Sequence, residues 1–301
     1  MTIAVTGGTG FVGDRFLDIA VQAGEQVRAL TRRPQEPRDC IEWVEGSLED
    51  GDSLRRLVTD CTSVVHIAGV INARDPAGFQ RGNVDGTLAM LAAATAAGIT
   101  RFVHVSSLAA REPKLSHYGA SKAKAEELVE RSGLDWAIVR PPAVYGPGDR
   151  ETLELFRMAN LRLMLLPPKG RVSLIHVDDL ARLLLVLVKA EDAHHLIVEP
   201  DDGTPSGWTH KELAGAIGEA VGRRNVSLSM PRAMLKVGAV VDQLVRRERA
   251  KLSTDRAAYF SHDNWVVEPS RRPQPALWRP QVETRQGLAL TASWYRDKGW
   301  L

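Results

Sequence analysis

Tyr118 and Lys122 stand four residues apart in Tyr118-Gly119-Ala120-Ser121-Lys122, a spacing that places both on one face of a helix. A phenol titrates near 10 and is a weak proton-transfer group at neutral pH. An ammonium beside it favours the phenolate and lowers that value, at about 1.4 kcal/mol for each unit. Ser106-Ser107 closes the apolar run Phe102–Val105 shortly before, and a hydroxyl at the end of such a strand can hydrogen-bond a carbonyl or an alcohol. A Tyr and a Lys on an ordinary solvated helix face would show the same spacing. What sets this pair apart is the serine pair and a second motif upstream. Thr6-Gly7-Gly8-Thr9-Gly10-Phe11-Val12-Gly13 follows Ile3-Ala4-Val5 and reads as a strand, a glycine turn and a helix start. Bare backbone at Gly7 and Gly10 lets a pyrophosphate approach N–H groups, and the missing side chain at Gly13 lets helix pack closely on strand. On spacing alone, a tight turn without a ligand is the other reading.

These groups need a scaffold, and the rest of the chain supplies one. Strand-like runs recur at Ile3–Val5, Val27–Leu30, Ile41–Val44, Val64–Ile67, Phe102–Val105 and Ala137–Val139. Helical segments are expected at Phe11–Ala23, Gly51–Thr59, Val84–Ala97 and Tyr118–Arg131, with Gly24, Gly98 and Gly133 as C-terminal stops. The alternation predicts an α/β fold, a doubly wound parallel Rossmann sheet. After Arg140 the pattern is broken by Pro141-Pro142, Gly146-Pro147-Gly148 and Pro167-Pro168. A strand over Arg171–Val177, a helix over Asp178–Lys189 capped by an acidic pair, and a strand over His195–Val198 then return toward the sheet. The expected organisation is a dinucleotide-binding domain over 1–150 plus about 171–200. A smaller, discontinuous, mostly helical substrate lobe takes 151–170 plus 201–301, with the site in the cleft between the two. Apolar positions at Met234, Val237, Val241, Leu244 and Val245 precede Arg246-Arg247-Glu248-Arg249; the pattern predicts a packed helix with a solvated basic end rather than a membrane-surface helix. The tryptophans at 208, 265, 278, 294 and 300 are expected to pack the core.

At 301 residues and 44% hydrophobic content the chain can bury a sizeable core. Lys plus Arg number 39 against 37 Asp plus Glu, a net charge of +2, so no nucleic-acid partner is expected. Cys40 and Cys61 are the only cysteines, without CxxC spacing or a nearby histidine cluster, so neither a disulfide framework nor a structural zinc site is expected, and a reducing cytoplasm fits. No basic and apolar leader and no spanning run is visible. His117 is expected on a partly exposed loop, and His194-His195 lack carboxylates at ligand spacing, so no metal is expected.

Taken together, the motifs resemble the short-chain dehydrogenase/reductase superfamily, in its extended and atypical branches of NAD-dependent epimerase/dehydratase proteins. The resemblance rests on Thr6–Gly13, His66-Ile67-Ala68-Gly69, Asn83-Val84-Asp85-Gly86-Thr87, Val105-Ser106-Ser107 and Tyr118–Lys122. It extends through Arg140-Pro141-Pro142-Ala143-Val144-Tyr145-Gly146-Pro147-Gly148 and His176-Val177-Asp178-Asp179. It implies Tyr118 as the acid/base and Lys122 as the holder of the nicotinamide ribose. Ser107 would orient the reacting oxygen, with Ser106 as its alternate. It also implies that Gly7, Gly10, Phe11, Val12 and Gly13 cradle the dinucleotide, that Ala68 and Gly69 line its cleft, and that Pro141 to Val144 approach the nicotinamide. The stretch between Ser107 and Tyr118 is short for a sugar-nucleotide enzyme of these branches and is more similar to the atypical one, which includes proteins similar to an accessory NADPH-binding subunit of respiratory complex I.

The end of the second strand bears on which dinucleotide binds. It reads Val27-Arg28-Ala29-Leu30-Thr31-Arg32-Arg33, without the carboxylate that holds the ribose hydroxyls of NAD. Arg32 and Arg33 suit a 2′-phosphate, so the expected cofactor is NADP, with NAD as the alternative. The expected activity is hydride transfer between nicotinamide and a carbonyl or secondary alcohol of a small-molecule substrate, with a homodimer compatible. An epimerase or dehydratase acting on a nucleotide sugar, and a non-catalytic NADPH-binding scaffold, are the competing readings.

Overall fold

A computed structural model describes residues 1–167, 169–190, 193–231, 259 and 262–301. The basic segment from Met234 to Arg249 lies outside the described residues. The chain divides into two compact units, one of 1–141, 180–199 and 273–278, the other of 142–179, 200–272 and 279–301.

The first unit is built on seven parallel strands. Their ranges are β1 Thr2–Thr6, β2 Gln26–Thr31, β3 Ile41–Glu45, β4 Ser63–His66, β5 Arg101–Val105, β6 Asp135–Val139 and, numbered in chain order after four strands of the other unit, β11 Leu196–Val198. They lie in the order β11-β6-β5-β4-β1-β2-β3. From β1 the chain winds outward through β2 and β3, then returns to the other side of β1 for β4, β5 and β6. The switch therefore falls between β1 and β4, where Thr6 stands beside His66. Ligands of open parallel sheets bind outside the carboxyl ends at such a point.

Helices α1 Phe11–Gln22, α2 Gly51–Val58, the short α3 Pro76–Phe79, α4 Gly86–Ala96 and α5 His117–Glu130 connect these strands. Each α-helical expectation holds within a residue or two except before α4, where a π-helix over Gln80–Asp85 takes the first turns. Gly24, Gly98 and Gly133 all have positive φ, as expected of helix stops. Leu54, Leu57, Met90, Leu91, Phe102, Val129 and Trp136 form a continuous apolar core with the strand residues. Strands buried on both faces explain why the runs in the sequence are continuously apolar rather than alternating.

The second unit holds α6 Leu153–Asn160, α8 His210–Ala220 and α9 Thr284–Asp297, with the start of α7 Val177–Lys189. Three small sheets accompany them: β7 Ala143–Tyr145 with β10 Leu174–His176, β9 Arg171–Val172 between β12 Trp208–Thr209 and β14 Asn264–Trp265, and β8 Leu163–Leu166 with β13 Val226–Ser229. The single strand expected over Arg171–Val177 is thus two, parted at Ser173, whose Oγ donates to Asp201. Both pair within the second unit, and only β11 joins the large sheet. Helix α7 begins at Val177, so the acidic pair Asp178 and Asp179 lies in its first turn. Asp179 accepts from the backbone N–H groups of Gln281 and Val282 at 2.8 and 3.0 Å. Phe156, Ile217, Leu288 and Tyr295 centre this unit's core. The tryptophans pack as expected: Trp265 and Trp278 are buried, and Trp294 and Trp300 enclose Tyr295.

Candidate functional site

The glycine turn is formed as a cradle. Gly7 has φ +77°, and a Cβ there would lie 2.6 Å from the Ala68 nitrogen. A Cβ on Gly13 would fall 2.0 Å from the Gly7 carbonyl oxygen. Larger residues are therefore excluded at both positions by backbone, which cannot move aside. Gly10 precedes α1 without a side-chain cap, and its own N–H donates to Gly7. The N–H groups of Phe11, Val12 and Gly13 remain as the donors that a helix start leaves without intrahelical partners. With the positive end of the helix dipole they form a fitting place for a diphosphate.

At the end of β2, Arg32 and Arg33 are both exposed. The Thr31 hydroxyl donates to the Arg33 carbonyl at 2.6 Å and so fixes the turn that presents them. Arg38, by contrast, is spent in ion pairs with Asp14 and Asp18 on α1. The turn itself reads Arg32-Arg33-Pro34-Gln35.

Across the switch point, the Ala68 N–H donates to Thr6 Oγ1 at 3.3 Å, and Thr6 Oγ1 also meets His66 Nδ1 at 2.7 Å. Gly69 follows, where a Cβ would stand 3.6 Å from Lys122 Nζ. The expected cofactor-lining pair Ala68 and Gly69 thus lies between the glycine turn and the lysine. Lys122 is buried, and its ammonium donates to the Val105 carbonyl at 2.8 Å. Burial pushes its pKa down to about 8, against a smaller opposite effect from Glu126. An ammonium has three protons to donate, so the bond to Val105 leaves capacity for a further acceptor.

Ser107 starts a 3-10 turn over Leu108–Arg111 and its Oγ accepts from the Ala109 N–H at 3.2 Å. That bond fixes the side chain and leaves its hydroxyl proton to donate elsewhere. The backbone on either side is pinned, by Ser106 N–H to Val139 O at 2.7 Å and Leu108 N–H to Pro141 O at 3.0 Å. Ser106 is buried and its Oγ has no hydrogen-bond partner among the described residues.

Helix α5 begins at His117, with Ser116 as its cap through the Gly119 N–H at 2.9 Å. Gly119 lies against the serine turn, since a Cβ there would be 2.7 Å from the Ala109 carbonyl. The structure therefore brings Ser107's turn and the first turn of the Tyr118 helix into contact. Tyr118 is half-buried, its ring 6.2 Å from that of Phe79. Of the remaining expected positions, Pro141 ends the first unit beside the serine turn. Val144 belongs to the second unit, in β7 beside Ile175. His117 is exposed as the first residue of α5. His194 pairs with Asp135 and His195 meets the Leu134 carbonyl. No metal-holding cluster exists among the described residues.

Two further groups, although Asn83 and Arg140 stand in quoted motifs, were given no role in the sequence. Asn83, in the π-helix, accepts from Val70 N–H at 2.6 Å while its amide donates to Val70 O at 3.0 Å and Ser121 Oγ at 2.8 Å. Ser121 Oγ in turn donates to the Tyr118 carbonyl at 2.7 Å. One side chain thus ties the loop after β4 to the helix of Tyr118 and Lys122. A π-turn often marks a functional site, but the asparagine shows no periodicity that would have announced its part. The second group is a buried chain of charges, Arg111, Glu199, Arg140 and Glu126. It ties the end of the serine turn, the ends of β6 and β11, and α5 one turn beyond Lys122. These four are distant in sequence and meet only through the sheet order.

The family model for the NAD dependent epimerase/dehydratase family matches residues 3–198. A protein of Caulobacter vibrioides named ceramide reductase is 37% identical over 99% of this chain and 96% of its own length. A Stigmatella aurantiaca ketoreductase of a farnesylated dihydroquinoline oxide is 36% identical over 50% of this chain and 52% of its own. Among solved structures, MoeE5 in complex with UDP-glucose and NAD superposes with a TM-score of 0.76 at 21% identity, covering 99% of both chains.

Proposed function

The chain belongs to the NAD dependent epimerase/dehydratase family and is an NAD(P)-dependent enzyme; from that premise we propose that it is an NADPH-dependent ketoreductase acting on a long-chain lipid ketone. The observation that carries the reading is the contact of the Ser107 turn with the Tyr118 helix above a buried Lys122. This is what a carbonyl needs if it is to receive a proton on oxygen as hydride reaches carbon. When bound, the dinucleotide supplies that hydride. Gly7, Gly10 and the α1 N–H groups hold its diphosphate, Arg32 and Arg33 its 2′-phosphate, and Lys122 its ribose beside Ala68 and Gly69. Ser107 Oγ donates to the substrate oxygen while Ala109 keeps it oriented. Tyr118 Oη gives its proton to that oxygen, so carbonyl plus hydride plus proton becomes a secondary alcohol. In its charged form Lys122 eases the release of the phenolic proton.

The lipid class is supported by the whole-length likeness to a ceramide reductase and by the partial likeness to a ketoreductase with a prenylated substrate. Nucleotide-sugar complexes among the structural neighbours are about a fifth identical and speak for the fold alone. No helix among the described residues is long and apolar enough to cross a membrane. The test is turnover of an N-acylated long-chain base carrying a ketone, offered in detergent micelles with NADPH. One NADPH consumed for each alcohol formed, with slower use of NADH, is the expected result. Conversion of a nucleotide sugar without net consumption of dinucleotide would replace the ketoreductase by an epimerase or dehydratase.

A further inference from the structure

Strands β8 and β13 pair in parallel with Leu163 beside Val226 and Leu165 beside Leu228. Neighbours in register point to the same face of a sheet, and successive residues to opposite faces. On β8 the inward residues Met164 and Leu166 are 1% and 8% exposed and belong to the core of the second unit. The outward face should then be polar, and it is not. Leu163, Leu165, Val226 and Leu228 are 43%, 38%, 63% and 51% exposed, and Leu161, in the turn before β8, is 79% exposed. On β13 two of the four residues of Val-Ser-Leu-Ser are apolar side chains that face solvent. Five large aliphatic side chains on one small sheet and its leading turn form an exposed apolar patch of the kind that marks an interaction surface.

Its rim carries charge of one sign. Residues 161–170 and 222–231, the two strands with their flanking turns, contain Arg162, Lys169, Arg223 and Arg224 and no acidic residue. All four are exposed, and none forms an ion pair among the described residues. Arg162 stands at φ +64° in the turn that also projects Leu161. Acidic side chains of the helices that border this sheet are engaged elsewhere, Glu154 with Arg157 and Glu219 with Arg285. An apolar centre ringed by cations matches a bilayer surface of anionic phospholipid, where aliphatic side chains enter the acyl boundary and basic ones meet phosphate.

We propose that the β8–β13 face docks this enzyme reversibly on an anionic phospholipid surface, which is where a long-chain ketone would be found. The purpose rests on the lipid-substrate reading above, whereas the docking itself is read without turnover, so either can fail alone. The experiment is cosedimentation of the full chain with vesicles of phosphatidylcholine alone and with a third phosphatidylglycerol. Two variants accompany it, Leu163→Ser/Leu165→Ser/Val226→Ser/Leu228→Ser and Arg223→Glu/Arg224→Glu. Binding to the anionic vesicles at least tenfold tighter than to the neutral ones, weakened by salt and reduced about tenfold or more by each variant, is the expected result. Unchanged thermal unfolding and unchanged NADPH affinity in the variants would show that neither the fold nor the dinucleotide site was touched. Absence of binding, or binding that both variants retain, would overturn the proposal. In that event a second copy of the chain is the other occupant of the face, and sedimentation at increasing concentration tests it.

Discussion

Lys122 has the largest consequence for its size, because its burial works against its charge. With a pKa near 8 rather than 10.5, it is cationic below about pH 8 and loses its proton as pH rises through that value. The ammonium can hold the ribose and ease proton release from Tyr118 only in its charged form. NADPH affinity of the free enzyme should therefore weaken as pH rises from about 7 to about 9. In Lys122→Met the affinity should be lower throughout and this inflection absent. Fluorescence titrations across that range check both. Arg32 and Arg33 make a separate claim. Replacing both by alanine should weaken NADPH binding by about 1.5–3 kcal/mol for each charge-assisted hydrogen bond to the 2′-phosphate that is removed, and leave NADH nearly unaffected. An equal weakening for the two dinucleotides would remove the assignment of a 2′-phosphate site to this turn. These side chains were legible in the sequence because their chemistry is carried by type and local spacing. The role of Asn83, which stood in a quoted motif, was not, because it lies in three bonds to residues 13 and 38 positions away.

At the scale of elements, β4 and β5 each bury a histidine. His66 and His104 stack with ring centroids 5.5 Å apart. His66 is held between Thr6 and Thr87, while neither ring nitrogen of His104 has a hydrogen-bond partner among the described residues. Burial, with Lys122 nearby, drives the His66 pKa from 6.5 to about 3 and that of His104 well below its usual value. Both stay neutral in the folded protein while their unfolded counterparts take up protons below pH 6.5. The unfolded chain thus binds more protons as pH falls, and stability declines from about pH 6.5 downward, by up to ~1.4 kcal/mol per pH unit for each histidine. Thermal unfolding between pH 7 and 5 should show this decline, and His104→Leu should make it shallower. A melting temperature flat over that range would contradict the assignment. Elements such as β1 and α1 were readable locally, β1 from the apolar run Ile3–Val5 and α1 from Gly10 and Gly24 at its ends. The two-residue strands β9, β12 and β14 and the π-turn before α4 were not. Their existence depends on partners far along the chain, and two or six residues establish no period.

For the whole molecule, the alternation of strands and helices as far as Val139 predicted the parallel sheet, since each crossover is completed locally. The second unit is assembled from three separate stretches of chain. Its small sheets join residues as distant as Leu163 and Val226 or Arg171 and Asn264, pairings that no local pattern encodes. The apolar faces of β8 and β13 escaped notice for the same reason. The catalytic claim, by contrast, is concentrated in one hydroxyl of the first unit. Its most direct test is kcat for reduction of the long-chain ketone by NADPH deuterated at C4, in wild type and in Tyr118→Phe, with NADPH affinity measured on the same samples. Deuterium is expected at the carbinol carbon in the wild type. A fall of about 10²–10⁴ in kcat is expected for Tyr118→Phe, with the dissociation constant for NADPH unchanged. Turnover undiminished in Tyr118→Phe would remove Tyr118 as the proton donor.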